Sequence, residues 1–166
     1  MVFWADLCDV VGPMIFLLFN LFLASAAPAR AASPCLPSID NCGYYACRES
    51  WHACGPDGYY LGFGEPYCDI GETRLKARMS PQGQIWVDSV AQCLRQRLEE
   101  TVDVDASCSK VRELAVESHS SCYVSAGFCG LSWTDRLEVA YYLRDATLAP
   151  GFLKESREVV EACTGI

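Results

Sequence analysis

The residues with chemistry to offer in this 166-residue chain are eleven cysteines and two histidines. Cys8 stands apart near the N-terminus. The other ten, at positions 35, 42, 47, 54, 68, 93, 108, 122, 129 and 163, spread over the rest of the sequence. Free thiolates from Cys42 to Cys54 would mimic a zinc cluster, whereas oxidised pairs would staple a small fold. An even set behind an apolar leader favours disulfides made in an oxidising compartment. Disulfided sulfurs hold a chain together and carry out no turnover, so any catalysis has to be sought among other side chains.

The imidazoles are His52 and His119. A Ser-His-Asp hydrolase can be assembled on paper from His119 and the many serines, but the G-x-S-x-G elbow that would expose a nucleophilic serine is missing. Asp103-Val104-Asp105 with Glu99 and Glu100 offers oxygens for weak calcium binding. It lacks the glycine and terminal glutamate of an EF-hand loop, and reads as a solvated helix end. Tyr59, Tyr60, Phe63 and Tyr67 cluster around Gly62-Phe63-Gly64, a tight-turn signal. Packing is the plainer role for these rings, and the platform they would form is the one surface nominated for a binding partner. No catalytic residue, metal ligand or cofactor is assigned.

Charge narrows the partners. The whole chain has 13 basic and 21 acidic residues, for a net charge of −8. No stretch concentrates Lys and Arg, which removes the electrostatic support for binding nucleic acid or anionic lipid heads. Residues 10–27 form an apolar run that ends in Ala24-Ser25-Ala26 and, further on, Ala29-Arg30-Ala31, both of the A-x-A cleavage form. The expected organisation is therefore a signal peptide over 1–31, cut after Ala26 or Ala31, followed by one domain over 32–166. A membrane association would require an uncleaved leader. Cleavage after Ala31 removes Arg30, Asp6 and Asp9, leaving 12 basic and 19 acidic residues and a net charge of −7. It also removes Cys8 and leaves an even cysteine count. No N-x-[ST] sequon follows either asparagine, so N-glycosylation is not expected.

The elements that must position these residues are helical. Residues 35 to 71 are dense in turn formers and cysteines and read as short helices or loops pinned by bridges and packed by aromatics. Ser80 is an N-cap with Pro81 at the first helical position, and Trp86, Val90, Leu94 and Leu98 recur at i+4 with Cys93 on the same side. That pattern predicts a helix over 81–100. A second is expected from about 108 to 125, with Cys108, Val111, Ala115 and Cys122 on one face. Ser132-Trp133-Thr134-Asp135 has capping-box form and opens a third, about 133–148. Pro150-Gly151 separates it from a fourth, about 151–163, with Phe152, Val159 and Val160 on its buried side. With no strand-like alternation, the fold class is all-α and disulfide-rich.

The cysteine order resembles that of the stanniocalcin family. Cys42-Gly43-Tyr44-Tyr45-Ala46-Cys47 has the family's C-G-x-x-x-C form, with Cys35 upstream and Cys54 soon after. Cys68 and the helix carrying Cys93 follow. Cys108, Cys122-Tyr123 and Cys129 then fall at steps of 14 and 7 residues, with Cys163 about 35 residues further on. The resemblance covers Cys35 to Cys163. It implies a pairing that spacing alone does not select: Cys35 with Cys47, Cys42 with Cys68, Cys54 with Cys108, Cys93 with Cys122, and Cys129 with Cys163. A straight antiparallel hairpin turning near residue 104 would set Cys93 opposite about Ala115, so the implied Cys93–Cys122 bridge requires the two helices to be offset or to cross. The family's sequon and its extra dimer-forming cysteine have no counterpart here, so no covalent dimer is expected.

The resemblance implies a secreted, non-enzymatic, hormone-like or binding factor. Its partner would be an extracellular protein or receptor, with calcium or phosphate handling as the family analogy. A fainter resemblance points elsewhere. His119-Ser120-Ser121-Cys122-Tyr123 echoes the H-D-x-C-Y segment of secreted phospholipases A2, in which the histidine would activate water. Ser120 stands where the calcium-binding Asp would be, and the nearest Gly-rich candidate lies over fifty residues upstream. The alternative expectation is thus a small secreted hydrolase of that type. The plainer place for His119 is near a helix C-terminus, where an imidazole complements the dipole.

Overall fold

A computed structural model describes Cys35, residues 42–146 and residues 151–165. The expected leader, its cleavage sites and Cys8 lie outside the described residues. Within them the chain is helical, with no strand, and five disulfides cross-link it. The fold is all-α and disulfide-rich. No helix among the described residues is long and apolar enough to cross a membrane.

Helix α1 (Gly43–His52) ends at Ala53, whose φ of 49° places it in the left-handed region. Of the short helices or loops expected before residue 71, the chain takes mainly short helices. From Tyr60 to Arg78 it runs as one irregular helical stretch: a π turn (Tyr60–Gly64), α2 (Glu65–Ile70), a second π turn (Gly71–Leu75) and a 3-10 turn (Lys76–Arg78). Pro66 falls in the first turn of α2, where a missing N–H is tolerated, and the backbone widens just upstream. Gly64 is required by close approach. A Cβ there would stand 2.5 Å from the Tyr45 ring, so α1 and this stretch meet through a ring laid on bare backbone.

Helix α3 (Pro81–Thr101) starts as its cap signals predict, with Ser80 Oγ accepting from the Gly83 amide at 3.2 Å. Trp86, Val90 and Leu98 are buried along it, and Leu94 packs beside them. The expected helix over 108–125 is two helices, α4 (Cys108–Glu117) and α5 (His119–Ser125). The break at Ser118 has a local cause. Ser118 Oγ donates to the Ala115 carbonyl at 2.7 Å, and His119 Nδ1 donates to the Ala115 and Val116 carbonyls at 2.8 and 3.2 Å. Side chains thus take carbonyls that a continuing helix would satisfy with amides. Beyond the break, α5 carries Cys122 to Cys93 at a Cα separation of 5.6 Å.

A 3-10 turn (Phe128–Gly130) leads to α6 (Trp133–Leu143), and α7 (Phe152–Thr164) closes the fold. Helix α6 stops before the expected residue 148, and the chain turns through residues 144–146. On α7, Phe152 and Val159 are buried as expected, whereas Val160 is 58% exposed. Val160 sits one step around the helix from Val159, which carries it past the buried edge.

Two hydrophobic clusters form the core. One gathers Tyr44, Tyr45, Tyr59 and Tyr60 with Leu98, Val102, Val111 and Ala115; the other gathers Leu75, Met79, Trp86, Val87, Val90, Leu131 and Val139. Each large apolar side chain so buried contributes about 1.5–3 kcal/mol. Beside the first lies an ionic pair. Arg48, 2% exposed, lies 3.4 Å from Glu99, and the Tyr44 hydroxyl donates to the same carboxylate at 2.8 Å. Burial and the adjacent Glu99 charge both push the Tyr44 hydroxyl pKa well up.

Candidate functional site

The bridges decide which parts of this frame are fixed. Cys35 is bonded to Cys47, Cys42 to Cys68, Cys54 to Cys108, Cys93 to Cys122 and Cys129 to Cys163, with Cα separations of 5.1–5.7 Å. Those spacings lie within the range that disulfide geometry accepts. These are the partners that the family resemblance implies. Every described α-helix except α6 contains a bonded cysteine.

Helix α6 is held by polar contacts at its start and by packing further along. Asp135, 3% exposed, accepts from the Ser80 amide at 2.9 Å, from Ser80 Oγ at 2.7 Å and from Ser132 Oγ at 2.8 Å. Ser132 Oγ in turn accepts from the Asp135 amide at 3.1 Å, so the N-cap half of the capping box forms, while the carboxylate turns to the Ser80 amide in place of the Ser132 amide. One carboxylate therefore ties the N-termini of α3 and α6 together. Burial alone would raise its pKa, but the hydrogen bonds from Ser80 and Ser132 outweigh burial and hold it below the usual value. Gly83 makes room for this junction, since a Cβ there would lie 2.9 Å from Asp135 Oδ1. Further along, Val139 is buried, Glu138 pairs with Arg78 at 2.9 Å, and the Tyr142 hydroxyl donates to the Tyr67 carbonyl.

The outer side of α6 presents Trp133, Leu137 and Tyr141, which are 72%, 50% and 59% exposed. Spacing at i, i+4 and i+8 sets them in one stripe along the helix. Arg144 lies over the Tyr141 ring at 4.2 Å, and Arg78 approaches it at 6.0 Å. Large aromatic side chains with an arginine beside them are the residue types enriched where proteins bind proteins.

The nominated aromatic platform is not a surface. Tyr59 and Tyr60 are 2% and 0% exposed, and Phe63 and Tyr67 are half-buried, stacked on one another at 4.3 Å between centroids. The four rings pack in and beside the core because Gly64 lets α1 come close. Phe63 and Tyr67 line an inner cavity of about 80 Å³, room for no more than two or three waters. As a platform the group is corrected to core.

His119 is buried in an apolar cage of Phe63, Tyr123 and Phe152 rings. Burial lowers its pKa to about 4, against the opposing effect of the two carbonyls that accept from Nδ1. The imidazole is thus neutral near pH 7 and sits at the C-terminal carbonyls of α4. Its hydrogen bonds among the described residues go to backbone, with no carboxylate or serine partner. Neighbouring Ser120 donates instead to Glu158 at 2.7 Å. His52 bridges the Arg48 and Asp103 carbonyls at 3.3 and 3.0 Å. Glu99 is engaged by Tyr44 and Arg48, and Glu100 by Arg97. Among the described residues no cluster of three or more His, Cys, Asp or Glu is arranged to hold a metal ion.

A larger cavity, about 370 Å³, lies between α5, α6 and α7. Its walls are mainly apolar, with Tyr123, Val139, Leu143, Phe152 and Val159, and His119 and Arg136 also face it. Sequence reasoning missed this space, because it is what three helices leave between them and no one helix's periodicity encodes it. Comparison with protein-family models, with curated proteins and with solved structures finds no match.

Proposed function

We propose that this chain is a secreted, stanniocalcin-like factor that acts by binding an extracellular protein or receptor. The observation that carries the reading is the α6 stripe. The bridged helices hold a stable frame, while the one helix without a cysteine turns Trp133, Leu137 and Tyr141 outward. Five disulfides support a life in an oxidising, extracellular setting. The agreement between these pairs and the family pattern supports the scaffold resemblance. A calcium or phosphate role is the family analogy, and fold likeness alone does not transfer function.

Catalysis of the phospholipase type is the weaker reading. A general base of that kind needs an imidazole oriented by an acidic or polar side chain and open to water. His119 is 4% exposed and is held by backbone carbonyls.

The test is saturable binding of fluorescently labelled mature protein to intact cells. Trp133→Ala, Leu137→Ser and Tyr141→Ala combined should abolish binding while leaving far-UV circular dichroism unchanged, because these side chains are exposed. Undiminished binding by the folded triple variant would remove α6 from the function. Calcium-dependent lipolysis abolished by His119→Ala would instead establish the enzyme.

A further inference from the structure

The cavity between α5, α6 and α7 contains a positive charge with no ion-pair partner among the described residues. Arg136 reaches it from α6, half-buried, with its guanidinium 5.9 Å from the Phe128 ring centroid. One of its terminal nitrogens, Nη2, donates to the Cys129 carbonyl. Nε is buried and makes no hydrogen bond, and no carboxylate among the described residues lies within ion-pair reach of the group. The acid in the cavity wall is committed. Glu155, 4% exposed, accepts from the Ser120 amide at 3.2 Å and stands 3.9 Å from Lys154 Nζ. Arg144, at the rim, is paired with Asp145 at 3.5 Å and stacked on Tyr141.

A cation partly withdrawn from water beside an apolar wall needs a counter-charge. Water filling such a space would find few polar partners along Val139, Leu143, Phe152 and Val159. The volume, about 370 Å³, falls within the range of small-molecule sites, which combine apolar walls with a few polar groups that orient the ligand. A water occupies ~30 Å³ of liquid volume and a methylene is of similar size, so the space holds roughly a dozen non-hydrogen atoms.

We propose that this cavity binds a small aliphatic carboxylic acid, its chain of roughly ten carbons lying against Val139, Leu143, Phe152 and Val159 and its carboxylate on Arg136. The site lies between the helices, does not include the α6 stripe residues, and stands or falls independently of the partner-binding role.

The experiment titrates the mature, oxidised protein with sodium decanoate, decan-1-ol and decylammonium below their aggregation concentrations, by calorimetry and methyl NMR. Decanoate should bind one per chain and shift the methyls of Val139, Leu143 and Val159. Decanol should bind roughly tenfold or more weakly, and decylammonium more weakly still. Arg136→Gln should bring decanoate down to the level of decanol. Arg136 also holds the Cys129 carbonyl, so Val159→Phe, which fills the cavity from α7, provides a second variant expected to abolish binding in a folded chain. The proposal is overturned if decanoate fails to saturate the wild-type protein, if the three probes bind alike, or if the shifted methyls lie outside the cavity.

Discussion

Replacing Asp135 by alanine removes the contact on which the start of α6 depends. Three hydrogen bonds to the carboxylate disappear, and the Ser80 amide that donated at 2.9 Å loses its acceptor at a half-buried junction. A buried donor left unmade costs about 1–3 kcal/mol, and bonds to a charged acceptor are worth about 1.5–3 kcal/mol each before solvation is repaid. Ser80 Oγ still caps α3 through Gly83, so that helix keeps its own start. The expected loss is about 3 kcal/mol for Asp135→Ala. Asp135→Asn keeps one acceptor oxygen and should lose about 1–2 kcal/mol. The assay is guanidinium unfolding at pH 7 with the disulfides intact, with Asp145→Ala, an exposed acid, as the control. Hydrogen exchange should rise first in α6, which no bridge restrains. The pH dependence has a defined sign. The folded pKa lies below the unfolded one, so the carboxylate's contribution is present above the ordinary aspartate value of 3.8 and is lost as pH falls through the lower folded value. An Asp135→Ala loss within 0.5 kcal/mol of the Asp145→Ala control would refute the junction as an anchor.

Two further predictions concern the frame. His119 has a folded pKa of about 4 against 6.5 unfolded, so its contribution to stability is complete above pH 6.5 and falls by about 3 kcal/mol as pH drops to 4. His119→Phe should flatten that part of the stability-versus-pH curve, and an unchanged slope would show that other groups produce it. Replacing both Cys93 and Cys122 by serine opens a closure of 29 residues and should lower stability by about 3.5 kcal/mol, read from denaturant midpoints. A change below 1 kcal/mol would show that the bridge does not constrain the unfolded chain.

Helix α3 could be read from sequence because every signal for it is local: Ser80 and Pro81 at its start, and an apolar residue every fourth position as far as Leu98. The ladder likewise announced oxidation, and only a family likeness suggested its pairing. Short helices or loops are the expectation up to residue 71; that helical turns run on from Tyr60 to Arg78 is not legible, because Gly62, Gly64 and Pro66 signal turns by themselves. Gly64 in fact admits the ring of Tyr45, a residue brought in from another helix. The break at Ser118 was hidden for a related reason, since serine and histidine side chains compete with the backbone only in particular rotamers. No sequence signal marks Arg48 and Arg95 as buried, yet both are, Arg48 against Glu99 and Arg95 with Nη1 on Cys68 Sγ at 3.5 Å. The α6 stripe shows the general limit. Periodicity says which residues share a face, but whether that face meets a neighbour depends on the packing of the whole chain.

The most direct test of the account is a disulfide map of the unreduced protein recovered from culture medium. The account predicts a mature chain without free thiols, yielding linked peptides for Cys93–Cys122 and Cys129–Cys163 together with the three N-terminal pairs. Protein retained in the cell with free thiols, or a map linking neither Cys93 to Cys122 nor Cys129 to Cys163, would contradict it.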